Sequence, residues 1–137
     1  LAGLLSSHQQ NQASFSLLTT VVEDAKSYGR ILRGQNGQVE AIVEHKDASE
    51  SQRQLKEINP AIYCLAWPQM QAGLESLSND NSQKEYYLTD LLAWSFKQGL
   101  KIADAAADWQ EVSGINSRIE LAECNRYLKD QVLNRLL

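Results

Sequence analysis

The sequence predicts an α/β fold, a mixed sheet with a β-hairpin and flanking helices, on three observations. Apolar runs of strand length alternate with segments of helical period. Asn36-Gly37 sits between two such runs as a hairpin turn. Helix start and stop signals stand at Ser49-Glu50-Ser51-Gln52, at Pro68 and at Gly99.

The elements follow in order. Leu1, Leu4 and Leu5 share one face of a helix tail that runs into polar Ser6 to Gln12. Phe15 to Val22 is rich in β-branched residues and reads as a buried strand. Gly29 to Arg33 and Val39 to Glu44 form a hairpin about Gln35-Asn36-Gly37-Gln38, where Asn-Gly suits the positive φ of a type I′ turn. The capping box at Ser49 opens a short helix expected to reach about Glu57, with Asn59 and Pro60 ending it. Ala61 to Leu65 is a strand, followed by a helix with Met70, Leu74 and Leu77 on one face. Ser78 to Lys84 is a polar loop, Leu88 to Gln98 a helix, and Lys101 to Ala106 a strand, with Trp109 in the connection beyond. Asn116 or Ser117 caps a final helix carrying Ile119, Ala122 and Tyr127.

At 137 residues the chain is read as a single domain spanning 1–137. A content of 43% hydrophobic and 22% charged residues fits a folded, non-disordered protein. The net charge of −4 and pI near 5.1, with no basic stripe, exclude nucleic acid as an expected partner. There is neither a run of membrane-helix length nor a signal-peptide pattern, so no membrane partner and a cytoplasmic location are expected. Leu1 in place of Met suggests trimming or a missing upstream segment. Cys64 and Cys124 have no histidine or second cysteine at ligand spacing and read as small buried apolar residues. His8 and His45 read as isolated surface residues.

The candidate chemistry lies in Tyr28-Gly29-Arg30-Ile31, in Ile42 to Ala48 and in Glu85 to Asp90, which put polar side chains at strand ends, where open α/β sheets bind ligands. Each has a plainer alternative. Glu44 and Lys46 could be a solvated strand end, and Thr89 an N-cap with Asp90 favouring the helix dipole. Tyr86 and Tyr87 cannot both face one way, so one is core and the other reaches a cavity. Asn116 could be a helix cap.

Taken in order, Leu17-Leu18-Thr19-Thr20, Tyr28-Gly29-Arg30-Ile31, Ile42 to Ala48, Glu57-Ile58-Asn59, Asn79 to Asp90 and Gly114-Ile115-Asn116-Ser117-Arg118 resemble the uridylyltransferase domain of bacterial N-acetylglucosamine-1-phosphate uridylyltransferase. The resemblance runs from about Leu4 to Leu128. It implies a partial nucleotide-diphosphosugar transferase fold and a chain forming the C-terminal portion of that domain. The implied reaction is uridylyl transfer from UTP to N-acetylglucosamine 1-phosphate, giving UDP-N-acetylglucosamine for peptidoglycan and the cell wall. On the same pattern Gly29 lets the backbone approach the sugar, Glu44 accepts from hydroxyl or amide groups, and Asn59 offers donor and acceptor. Tyr87 and Thr89 line an acetamido pocket, and Asn116 supplies an oxygen to magnesium, which this chain alone is not expected to retain. The expected partners are UDP-N-acetylglucosamine or N-acetylglucosamine 1-phosphate, with a second copy of the chain, through the surface left by the missing half, as a further candidate.

Three departures stand out: Asn59-Pro60-Ala61 for the family's Asn-Thr-Gly, Lys84 for a Gly, and Ala25-Lys26-Ser27 for Pro-Thr-Gly. The family's phosphate loop, catalytic Lys and magnesium Asp have no counterpart in these residues, so the chain alone is expected to be inactive. The alternative is a non-catalytic module that self-associates or binds a nucleotide sugar.

Overall fold

The structure is a computed structural model that describes residues 1–115 and 117–136. Two compact units divide it, Leu1–Ala107 and Asp108–Leu137.

The first unit has the mixed α/β architecture. Its hub is β1 (Phe15–Val21), six of whose seven residues are buried, with Val21 exposed. Four more strands lie on the path that contains it: β2 (Gly29–Arg33), β3 (Val39–Val43), β4 (Glu57–Asn59) and β5 (Tyr63–Leu65), in the order β3-β2-β4-β1-β5. The sixth strand, β6 (Ile102–Ala106), runs parallel to β1, with Phe15 opposite Ile102. Along β1, antiparallel β5 pairs at Phe15–Leu17 and β4 at Thr20–Val21. A strand with partners along its length is buried on both faces rather than alternating, and in β1 that burial takes in the hydroxyl residues Ser16, Thr19 and Thr20 as well as Phe15, Leu17 and Leu18.

Helix α1 (Ala2–Gln10) packs on β1 and β6 with Leu4 as its buried residue, while Leu1 and Leu5 are exposed. Helices α3 (Trp67–Ser76) and α4 (Asp90–Lys97) pack on each other. Their contact depends on Gly73, because a Cβ there would lie 2.4 Å from Leu91 Cδ1 and 2.6 Å from the Trp94 ring. Phe15, Leu17, Ile31, Val39, Ile42, Met70, Leu91 and Leu92 form the core between the helices and the sheet.

Several expectations are corrected. Helix α2 (Glu50–Arg53) has both halves of the predicted capping box but stops at Arg53, and Glu57–Asn59 is strand β4. Sheet pairing with β1 and β2 overrides the helical preference there. The hairpin turn is not type I′. Gly37 donates its N–H to Gly34 O and alone among Asn36 and Gly37 has positive φ, at 81°. A bulge between Leu32 and Arg33 absorbs the resulting register shift. Trp109 begins a short helix rather than lying in a connection. His8 is half-buried and bonded to Ser16 Oγ at 2.8 Å. His45 is half-buried too, with Nδ1 buried and unpartnered among the described residues. Both cysteines are partly exposed rather than buried.

The second unit holds α5 (Trp109–Val112), capped by Asp108, and α6 (Arg118–Leu136). Ser117 Oγ accepts the N–H of Glu120 at 3.2 Å, so Ser117 performs the predicted capping. No side chain of α6 is buried. No described helix is long and apolar enough to cross a membrane.

Candidate functional site

The Tyr-Gly-Arg motif is built around Arg30, which is 3% exposed. Its guanidinium donates to the carbonyls of Ala25 at 3.3 Å, Lys26 at 3.2 Å, Arg53 at 3.4 Å, and Tyr28. Burial lowers its pKa, against an opposing pull from the Asp24 carboxylate. A buried cation with its donors taken by carbonyls fixes the loop leading into β2 and thereby sets Gly29 in place.

Gly29 opens β2 and pairs with Asn59, the last residue of β4. A Cβ on Gly29 would stand 3.1 Å from Ile42 Cγ2, 3.5 Å from Val43 O and 3.6 Å from Glu44 Oε1. Gly29 is buried, and its lack of a Cβ is what lets the Ile42 side chain and the Glu44 carboxylate pack close against the β2 backbone. Glu44 follows β3, and its Oε1 accepts the hydroxyl of Thr89 at 3.0 Å. Thr89 stands at the N-terminus of α4 but makes no capping hydrogen bond with its side chain, so the capping alternative does not describe its hydroxyl. Glu44 accordingly is tied by a buried residue rather than freely solvated.

Asn59 is 5% exposed and bonded at both ends of its amide. Oδ1 accepts the Ala61 N–H at 3.0 Å, and Nδ2 donates to Tyr63 Oη at 2.6 Å. The Ala61 N–H fixes which amide atom is oxygen. Tyr63 opens β5, stacks tilted on Phe15 with ring centroids 5.3 Å apart, and has its phenol pushed up to about 12. Burial is the main cause, the Asn59 bond opposes it, and the Glu44 charge adds to it. Gly29, Glu44, Asn59 and Thr89 thus converge where the ends of three strands meet the start of α4. Tyr63 joins them, a residue that sequence reasoning assigned only to a strand. Its spacing four residues after Asn59 was the available signal.

Tyr87 belongs to a neighbouring cluster. Its hydroxyl donates to Asp47 Oδ2 at 3.1 Å and accepts from Gln83 Nε2 at 2.8 Å, while Tyr86 is 69% exposed. Asp47 also accepts the Ser82 N–H at 2.8 Å, and that bond is the main cause of its lowered pKa. Lys46 donates to Gln83 Oε1. These bonds pin the loop before α4 to the turn after β3. The magnesium ligand expected at Asn116 lies outside the described residues. Among the described residues no group of three or more metal-ligating side chains forms.

No family model matches the chain. Over 134 residues it is 46% identical to a bifunctional protein GlmU of Heliobacterium modesticaldum, covering 96% of this chain and 29% of that protein. Bifunctional GlmU proteins of Brevibacillus brevis and Bacillus subtilis match at 42% and 39% identity, over 97% and 96% of this chain and again 29% of theirs. The chain thus spans about 29% of the length of the curated relatives it matches. In fold it matches the crystal structure of a putative glucose-1-phosphate thymidylyltransferase from Bacillus anthracis in complex with a sucrose. That match has a TM-score of 0.65 and 18% identity, covering 92% of this chain and 48% of that one. The resemblance drawn from the ordered motifs is borne out: nearly the whole chain is homologous to one segment of the GlmU proteins and carries a nucleotidyltransferase-type α/β fold.

Proposed function

We propose that this chain is the sugar-binding portion of a nucleotidyltransferase that makes UDP-N-acetylglucosamine from UTP and N-acetylglucosamine 1-phosphate. Its 137 residues form a C-terminal portion of the uridylyltransferase domain. The observation that carries this reading is the junction of Gly29, Glu44, Asn59 and Thr89 at the strand ends. Glu44 keeps one carboxylate oxygen as an acceptor for hydroxyl or amide groups of a sugar, with the Gly29 backbone close beside it. Asn59 keeps one N–H and one lone pair beyond its two internal bonds. Thr89 and Asn59 hold these acceptors and donors in fixed rotamers, so little ordering is left for the ligand to impose.

In the reaction a phosphate oxygen of the sugar phosphate bonds to the α-phosphorus of UTP, and the α–β bridging bond breaks to release pyrophosphate. Stabilising that transfer takes cations and oriented N–H groups about the phosphates. The described residues around Glu44 offer no such cluster, so the chain alone binds the sugar without turning it over. Magnesium, when bound, would neutralise phosphate charge. Asn116 is the residue of this chain proposed to hold it.

Titration calorimetry with UDP-N-acetylglucosamine tests the reading. Saturable binding by the 137-residue chain, abolished in Glu44→Ala with the fold intact by circular dichroism, is the expected result. Absence of heat at millimolar ligand, under conditions where the enthalpy is shown to be non-zero by a temperature series, overturns it.

A further inference from the structure

The geometry points to Tyr63 as an additional sugar-contacting residue, one whose phenolic O–H donates to an oxygen of the bound ligand. This inference rests on the sugar-site reading above. The Ala61 N–H holds Asn59 Oδ1 at 3.0 Å, which leaves Nδ2 facing Tyr63 Oη at 2.6 Å. An amide nitrogen only donates, so the phenol oxygen is the acceptor in that bond. The phenol's own proton is then uncommitted among the described residues, on a half-buried side chain whose surroundings include Glu44.

A hydroxyl donor left over in a site whose carboxylate already accepts from Thr89 is complementary to a polyol, which offers donors and acceptors close together. Glu44 takes a ligand donor, and Tyr63 supplies the matching donor to a ligand oxygen. The ring itself is immobilised, since it lies in a tilted contact with fully buried Phe15, so the hydroxyl is delivered by a rigid group. Rigid delivery lowers the ordering cost of binding.

The experiment is a comparison of the wild-type chain, Tyr63→Phe and Glu44→Ala by calorimetry with UDP-N-acetylglucosamine, together with the ultraviolet difference spectrum of tyrosine on saturation. Tyr63→Phe keeps the ring and removes only the hydroxyl. The expected result is an affinity about five- to tenfold weaker, the size of one hydrogen bond. In the wild type, ligand should also shift the tyrosine band to the red, the mark of a phenol that has begun to donate, and Tyr63→Phe should abolish that shift. If Tyr63→Phe binds as tightly as wild type while Glu44→Ala does not bind, the Tyr63 contact is overturned and the sugar site stands. A weaker affinity in Tyr63→Phe with no ligand-induced red shift in the wild type also overturns the contact, leaving Tyr63 a positioning residue for Asn59. Failure of the wild type to bind overturns both.

Discussion

Two positions where the chain departs from a family glycine, Ala61 and Lys84, both adopt left-handed backbone, with φ of 61° and 57°. A residue with a Cβ in that region costs about 1–2 kcal/mol from the clash of Cβ with the following carbonyl. Replacing Ala61 with glycine removes this strain but adds back about 0.4–1 kcal/mol of freedom in the unfolded chain. The net gain for Ala61→Gly is then about 0.5–1 kcal/mol. Ala61 keeps its N–H bond to Asn59 in either form, because the donor is backbone. Lys84→Gly should gain a similar amount, since the side-chain interaction lost among the described residues is an exposed pair with Asp80 at 3.6 Å, worth little in water. The two sites share no hydrogen-bond partner, so their effects should add. In urea, with a slope of about 1.5 kcal/mol per molar, each substitution should raise the unfolding midpoint by about 0.3–0.7 M.

The control that makes this decisive is Ala105→Gly, on strand β6 and at ordinary backbone angles. There glycine brings only the entropy cost, and the midpoint should fall by a comparable amount. A fall for Ala61→Gly as well would refute the strain argument, because the substitution would then behave as glycine does anywhere.

Two further outcomes follow from packing and titration. Gly73→Ala drives a Cβ to 2.4 Å from Leu91, which is fully buried and has no space to retreat, so the variant should lose about 1–2 kcal/mol after the helix-propensity gain; an unchanged urea midpoint would refute the packing argument. Tyr63, neutral when protonated, has its folded pKa raised to about 12 from the ordinary phenol value of 10.0. Its stabilising contribution is therefore complete below about pH 10 and is lost as the pH rises through about 12, because the unfolded chain gives up the proton first. Over that window the wild type should lose about 1–2 kcal/mol more than Tyr63→Phe, read from urea midpoints at each pH. Equal losses would show that the phenol is not held neutral by the fold.

What was legible in the sequence divides along the range of the interactions. The hairpin, the capping box at Ser49 and the helix halted at Gly99 are local signals, and each element is present. The helix expected from Ser49 to about Glu57 stops early at Arg53 because Glu57 to Asn59 answer to Thr20, Val21 and Gly29, residues far off in the chain that supply their sheet partners. The turn type failed for a related reason, since the bulge beside Arg33 changes the register that the turn must close. Within the candidate site, motif order alone picked out Gly29, Glu44, Asn59 and Thr89. It could not separate Tyr87 from them, because the Asp47 and Gln83 bonds that draw Tyr87 into another cluster cross between loops. Nor could it separate half-buried Tyr63 from any other strand tyrosine, because the Asn59 bond depends on how the turn between β4 and β5 is closed.

That turn explains how the chain accommodates Asn59-Pro60-Ala61. Read from sequence, proline removes a backbone N–H beside Asn59, a proposed binding residue. In the structure the N–H that Asn59 uses belongs to Ala61, two residues on, the geometry of an Asx turn, and position 60 has no part in it. Proline at the middle of such a turn fixes φ near its required value and holds Asn59, the residue before it, in extended backbone, which is the conformation that a strand end needs. Pro60 and Ala61 therefore act in opposite directions on the same loop: one lowers the entropy of reaching the bound geometry, the other adds strain to it. Ala61→Gly should consequently stabilise the fold while leaving the Asn59–Tyr63 bond in place, and Pro60→Thr should loosen Asn59 without moving it. Affinity for a sugar ligand would then be unchanged in the first variant and reduced in the second. The opposite ranking would mean that the strain at Ala61, and not the stiffness at Pro60, sets the site.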